Sequence, residues 1–332
     1  MREWILPEYV EDILPGEAER VEALRRTVLD HFRAHGYRLV QPPLVEHLES
    51  LLTGTGRDLD LMTFKVVDPM SGRLLGVRAD ITPQVARIDA HLLNEAGITR
   101  LCYSGSVLHT MAGGSAKTRE ILQIGAELFG EPGIDGDREV VGLLLSSLAA
   151  AGVRALHLDL GHVGVYRALA AGAGIAGTRE DTSLHQAMRT KDVPSIVELT
   201  AKLPPAWRDA LNALPTLYGP ADEVIASARA RLPDTPAIGN ALGAIDALVR
   251  STESKVDALH VDLADLTGYH YQNGAIFSVF TAGEAIAVGN GGRYDGIGKA
   301  FGRARPATGF TLDLRQLAAV QGRAEANGGT KG

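Results

Sequence analysis

Between Ile121 and Phe129 the chain alternates without a break. Leu122, Ile124, Ala126 and Leu128 point one way; Gln123, Gly125 and Glu127 point the other. A period of two is that of a β-strand with one face on a core. The second face carries an amide, a glycine and a carboxylate in a row. At about 3.3 Å per residue, Gln123 and Glu127 stand roughly 13 Å apart. Such a floor suits a small zwitterion, with the carboxylate for an ammonium, the amide for the far end and the glycine for the body. The pattern equally fits a half-solvated strand with no ligand, and the stretch alone does not separate the two.

With 332 residues the chain can hold two domains, or one domain with an insertion. No apolar run approaches the length of a membrane span, and the acidic N-terminus does not read as a signal peptide, so a cytoplasmic protein without membrane contact is expected. The single cysteine, Cys102, excludes an internal disulfide framework and sits between Leu101 and Tyr103 as a small core residue would. A net charge of −7 argues against strong non-specific binding of nucleic acid.

In chain order, Glu17 to His35 reads as a helix capped by Gly36, and Tyr37 to Val40 as a strand stopped by Pro42 and Pro43. The pair suits either a dimer seam or an ordinary surface helix. Leu51 to Asp60 reads as a loop, and 62–67 with 73–78 as a hairpin. Thr82 before Pro83 predicts a helix with Thr82 as N-cap. Asp80 then sits at a strand-to-helix junction, as a binding carboxylate or as a helix-capping acid. Ile98 to Ser104 is a strand, and Gly105 to Thr118 a loop returning into the antiparallel strand described first. Gly136 to Ala151 is a helix.

The strand Ala155–Leu160, ALHLDL, recurs as ALHVDL at Ala258–Leu263, which suits two strands of one sheet. His157, Asp159 and His162 lack a zinc spacing, and the two that share a face do not make a metal site, so no metal is expected. From about Val163 to Ser251 strand signals vanish and proline-punctuated helices take over. The reading is α+β: a core over 1–162 and 252–320, an all-helical insertion at 163–251, and a disordered tail at 321–332. Strands are expected at 284–288 and 308–314.

The ordered motifs resemble the catalytic core of class II aminoacyl-tRNA synthetases, and of the histidyl-tRNA synthetases in particular. Gly105 to Gly130 is similar to the second signature motif of that family, whose closing glutamine-any-glycine-any-glutamate is Gln123, Gly125 and Glu127 here. Gly291-Gly-Arg-Tyr-Asp-Gly matches a family glycine motif. Arg78 to Thr82 resembles an arginine-proline-glutamate-glycine-threonine segment, with Asp80 for the glutamate. The resemblance implies an antiparallel sheet flanked by helices.

The departures point away from synthesis. His109 stands where the family has its phosphate-gripping arginine, and Met111 replaces a glutamate. Gln316 takes the place of the third-motif arginine, with Arg315 one position early, and Thr267 replaces the arginine of the histidine loop. Adenylate chemistry needs fixed cations at the phosphates. No room for an anticodon-binding domain is expected after Leu317, so no tRNA partner is expected.

That combination is similar to the ATP phosphoribosyltransferase regulatory subunits, catalytically silent relatives of histidyl-tRNA synthetase. The resemblance implies a non-enzymatic chain without a cofactor. It self-associates as a dimer and joins the short-form catalytic subunit in a hetero-octamer, where it activates that subunit and mediates histidine feedback in the first step of histidine biosynthesis. Glu127, with Asp80 and Thr82, would hold the histidine ammonium; Gln123 and Tyr271 would frame the body and carboxylate; His270 would face the imidazole. A histidine site at the junction with the partner is the alternative placement. The competing function is a free-standing ligase that adenylates an amino acid or another carboxylic acid.

Overall fold

A computed structural model describes residues 5–54, 57–113, 118–268 and 271–328 of the chain. The strands, in chain order, are β1 (Arg38–Leu39), β2 (Val45–His47), β3 (Phe64–Val67), β4 (Leu74–Val77), β5 (Thr99–Gly113), β6 (Thr118–Phe129), β7 (Leu156–His162), β8 (Tyr218–Pro220), β9 (Ala258–Asp262), β10 (Ala275–Thr281), β11 (Gly289–Arg293) and β12 (Ala307–Asp313). Nine of them form one sheet in the order β1-β5-β6-β12-β11-β10-β7-β9-β8, and β2-β4-β3 form a second. Neighbours run antiparallel except β1 with β5 and β7 with β9. The expected antiparallel sheet flanked by helices is therefore present, with two parallel pairs added.

The alternation of β6 divides two cores. Ile124, Ala126 and Leu128 join a large apolar cluster with the helices Pro15–Ala34 and Ile134–Ala150. That cluster is continuous with apolar side chains of the helical segment, including Tyr166, Leu184 and Leu211. On the other face a smaller cluster of Ile81, Val85, Leu101, Tyr103 and Phe129 covers one end of β5 and β6. Both faces of β6 are thus buried there, so the strand is not half-solvated. Further along the sheet that second face opens to solvent.

Several expectations change. The segment read as a loop at 51–60 contains helix Arg57–Met62, after a short helix at Leu48–Leu51. β5 continues to Gly113, well past the Ser104 at which the strand was expected to stop, because its partner β6 supplies a ladder over that length. The strand expected at 284–288 is displaced: those residues form the irregular end of the turn, and the glycine-rich segment itself is β11. A Cβ at Gly291 would fall 2.1 Å from the Gly309 carbonyl and 2.7 Å from the Phe277 ring, so this strand is packed too closely for side chains on that face. The helical segment carries one short strand, β8, which pairs with β9 at the sheet edge. The tail read as disordered from 321 is helical as far as Gly328, within Leu314–Gly328. Among the described residues no helix is long and apolar enough to cross a membrane.

Cys102 is 2% exposed on β5, its Sγ 3.9 Å from the Tyr37 carbonyl. Arg293 of β11 is buried with Asp137, at 3.0 and 3.1 Å from its two carboxylate oxygens, and also donates to the carbonyls of Glu131 and Gly133. This pair ties the sheet to helix Ile134–Ala150. Replacing Asp137 by Ala leaves a buried guanidinium without its main counter-charge, so a loss of about 3–5 kcal/mol is expected in urea unfolding.

Candidate functional site

Glu127 lies in β6 with 1% of its surface exposed. Thr82 Oγ1 donates to its Oε1 at 3.0 Å and Tyr103 Oη does so at 3.1 Å; Tyr294 Oη donates to Oε2. Burial pushes its pKa up to about 8; the hydroxyl of Tyr294 pulls it down, the nearby Asp80 charge pushes it up, and Thr82 and Tyr103 pull it down. The carboxyl has room because its partner across the β6–β12 ladder is a glycine, Gly309. A Cβ at Gly309 would lie 1.6 Å from Glu127 Oε2.

Thr82 is not the N-cap of its helix. Helix Thr82–Arg87 begins with it, Ile81 holds the cap position, and the hydroxyl is turned to Glu127. The capping-type bond comes from Asp80, whose Oδ1 accepts from the Thr82 N–H at 3.1 Å. Asp80 Oδ1 also accepts from Gln123 Nε2 at 2.8 Å, and Gln123 Oε1 accepts from the Ile81 N–H at 2.9 Å. Both ends of the Gln123 amide are therefore used on the 80–82 turn. Gln123 does not line the cavity, contrary to its expected place beside a ligand, and acts as the clamp that seats Asp80 and Thr82. Gly125 also differs from expectation. The space above it holds the Tyr103 side chain, whose Oη would be 2.4 Å from a Cβ at that position. The glycine admits a tyrosine, and the tyrosine reaches Glu127.

The cavity itself measures about 340 Å³. Asp80, Thr82, Glu127, Tyr271 and Tyr294 form its polar end, and Thr267, Gln272, Asn290 and Thr311 continue it. Tyr271 stacks on Tyr294 with centroids 5.0 Å apart, and its buried Oη has no hydrogen-bond partner among the described residues. A buried hydroxyl left in that state is costly unless something else reaches it. His185 and Arg189 enter from helix Arg179–Arg189 of the helical segment. Arg189 is the one lysine or arginine among the described lining residues. His270 lies outside the described residues.

All but one of the positions that depart from the synthetase pattern lie outside the cavity. His109 Nε2 bonds the Ala79 carbonyl at 2.8 Å, and Met111 is 76% exposed. Thr267 lines the cavity, while its N–H donates to Asp265 Oδ1 at 2.9 Å. Arg315 and Gln316 do not lie on a strand, because β12 ends at Asp313 and a helix begins at Leu314. Arg315 pairs with Glu11 at 3.0 Å and Glu17 at 3.3 Å, and Gln316 Nε2 donates to the Ile286 carbonyl at 3.3 Å. None of His109, Met111, Arg315 and Gln316 lines the cavity.

Sequence reasoning missed Tyr103, Tyr294 and Arg189. Tyr294 sits in the glycine motif that the sequence displays, and Tyr103 faces Gly125 across the β5–β6 ladder. A bulky ring opposite a glycine is a readable signal once the pairing is known. Arg189 leaves no mark in an alanine- and leucine-rich helical stretch.

The family described as Histidyl-tRNA synthetase matches residues 9–317. The chain is 57% identical to an ATP phosphoribosyltransferase regulatory subunit of Ralstonia nicotianae over 320 residues, covering 96% of this chain and 82% of that one. It is 56% identical to the protein of the same name from Thiobacillus denitrificans over 317 residues, covering 96% and 98%. Among solved structures, an ATP phosphoribosyltransferase regulatory subunit/histidyl-tRNA synthetase from Bacillus halodurans superposes with a TM-score of 0.84 at 26% identity, covering 96% of this chain and 83% of that one. The histidyl-tRNA synthetase of Nostoc sp. PCC 7120 shares the fold, with a TM-score of 0.77 at 15% identity, covering 98% and 77%. A carboxylate-centred cavity without the synthetase arginines, and relatives of one name above 50% identity, agree: the chain belongs to the ATP phosphoribosyltransferase regulatory subunits, built on the histidyl-tRNA synthetase fold.

Proposed function

We propose that this chain is a cytoplasmic, non-catalytic subunit that activates the short-form ATP phosphoribosyltransferase catalytic subunit and carries histidine feedback to it, within a hetero-octamer built on dimers of this chain. The observation that carries the reading is the cavity: its end around Glu127 is organised for an ammonium, and the positions from which a synthetase grips ATP are turned to other work. The ligase alternative needs those cations, so ATP-dependent pyrophosphate exchange is expected to be absent. Feedback is then a coupling free energy between this cavity and the partner's active site, typically about 1–3 kcal/mol. The direct test is phosphoribosyl-ATP formation by the catalytic subunit, alone, with this chain, and with added histidine. Stimulation that histidine reverses supports the reading; no stimulation by a matched partner overturns it.

In the proposed complex Glu127 holds the ammonium with Asp80 beside it, the Tyr271 hydroxyl gains a partner, and Arg189 pairs with the carboxylate in place of the arginine lost at Thr267. Three outcomes follow from these roles. Glu127→Gln keeps the shape and loses the charge, so it is expected to fold, to stimulate the catalytic subunit and to lose histidine sensitivity. Arg189→Ala is expected to weaken histidine binding by roughly 10–100-fold in calorimetry, the worth of a charge-assisted hydrogen bond.

The third outcome concerns protons. With a pKa of about 8, Glu127 is largely protonated in the empty cavity at pH 7. An arriving ammonium favours the ionised form, so histidine binding at pH 7 is expected to release close to one proton, read as a buffer-dependent binding enthalpy. The same shift sets a stability slope. The unfolded carboxyl ionises near 4.5 and the native one holds its proton to about 8, so between those values the native state binds more protons and its stability falls as pH rises. Glu127→Gln is expected to flatten that part of the profile in denaturant melts.

A further inference from the structure

The recurrent hexapeptides become neighbours in the fold. β7 and β9 pair in parallel with a stagger of two residues, so that His157 faces Ala258 and Asp159 faces His260. Had the two copies aligned in register, each histidine would have faced the other. The stagger instead sets the second histidine beside the first aspartate. His157, Asp159 and His260 therefore meet on the open face of the sheet, with one ligand atom from each within 4.8 Å of the others. Two groups on one strand make no metal site, but β9 supplies the third, which the sequence does not reveal without the pairing.

The local geometry is not that of an Asp–His hydrogen bond. His157 Nε2 stands 2.9 Å from Asp159 Oδ1, yet neither atom has a hydrogen-bond partner, so the close pair is not aligned as donor and acceptor. His260 Nδ1 is 4.0 Å from the same oxygen. The rings are held in place: His157 packs edge-on against His260 with centroids 4.2 Å apart, and against Phe280 at 6.2 Å. The three side chains are between 34% and 42% exposed, while the facing atoms His157 Nε2 and Asp159 Oδ1 are buried, so the grouping sits just beneath the solvent-facing surface. The adjacent Asp262 is occupied by Lys191 at 2.7 Å and does not complete or disturb the set.

We propose that His157, Asp159 and His260 bind a divalent transition-metal ion of the zinc type, as three protein ligands on one side with the remaining positions open to water. Two imidazoles and one carboxylate favour zinc, cobalt or nickel over magnesium or calcium, which take oxygen sets. Bonds of about 2.0–2.2 Å place tetrahedral neighbours roughly 3.3 Å apart. The 2.9 Å and 4.0 Å separations bracket that value, and all three ligand atoms lie within 4.8 Å of one another, so small side-chain shifts close the set. The site lies strands away from the Glu127 cavity and does not depend on the proposed feedback role.

The test uses the full chain, free of any affinity tag, titrated with Co²⁺ by calorimetry and visible absorption and then with competing Zn²⁺. Binding of about one equivalent, visible ligand-field bands that Zn²⁺ removes, and no displacement by Mg²⁺ are expected. His157→Ala and His260→Ala sit at partly exposed positions and are each expected to weaken binding at least about tenfold with circular dichroism unchanged. A rise in melting temperature with excess Zn²⁺, lost in both variants, is the independent readout. Failure of Co²⁺ and Zn²⁺ to bind at micromolar concentration overturns the proposal. So does binding that both variants leave unchanged, since the ion then sits elsewhere.

Discussion

One buried carboxyl organises this end of the molecule. Glu127 is placed where a charge would be expensive, and three hydroxyls from three different elements are brought to it. Those elements cannot shift independently. Thr82 starts a helix, Tyr103 stands over Gly125, and Tyr294 belongs to a strand end packed by glycines. Gln123 locks the 80–82 turn from below. Burial keeps a proton on the carboxyl at neutral pH, and both of its oxygens are hydrogen-bonded. Moving any of these groups leaves a polar atom stranded beside another.

The synthetase-like scaffold has kept its shape while its residues changed employment. His109 now ties two backbone segments together through the Ala79 carbonyl. Arg315 ties the helix at the chain's end to Glu11 and Glu17 near its start. These are structural attachments, and neither side chain lines the cavity. A cation at the cavity comes from Arg189, on helix Arg179–Arg189. The helical segment therefore belongs to the cavity wall as much as the sheet does.

Much of the fold was legible where a strong period met an unambiguous environment. β6 announced itself because one face had to be apolar throughout, and the helix at Pro15–Ala34 because Val21, Leu24, Val28 and Phe32 repeat at helical spacing. Legibility failed where tertiary packing overrode local composition. The strand expected at 284–288 falls instead on Gly289–Arg293, whose ladder partners on both sides approach too closely for side chains on one face. β5 outruns its expected end because a ladder partner is available. In the site, Asp80, Thr82, Glu127 and Tyr271, named from the strand pattern and the family resemblance, line one cavity. Gln123 and Gly125 were misplaced for a common reason: a face that looks vacant in a one-dimensional pattern was already filled by Ile81 and Tyr103, which come from distant parts of the chain.

Cys102 has a consequence of a different kind. It is the only thiol in the sequence, it is buried on β5, and burial raises its pKa to about 11. Thiolate is the reactive form, so in the native protein this group is nearly silent towards alkylating and oxidising reagents. The strand that carries it lies next to the edge strand β1. Its rate of labelling therefore measures how often that edge of the sheet opens, and the chain carries its own internal clock for local unfolding.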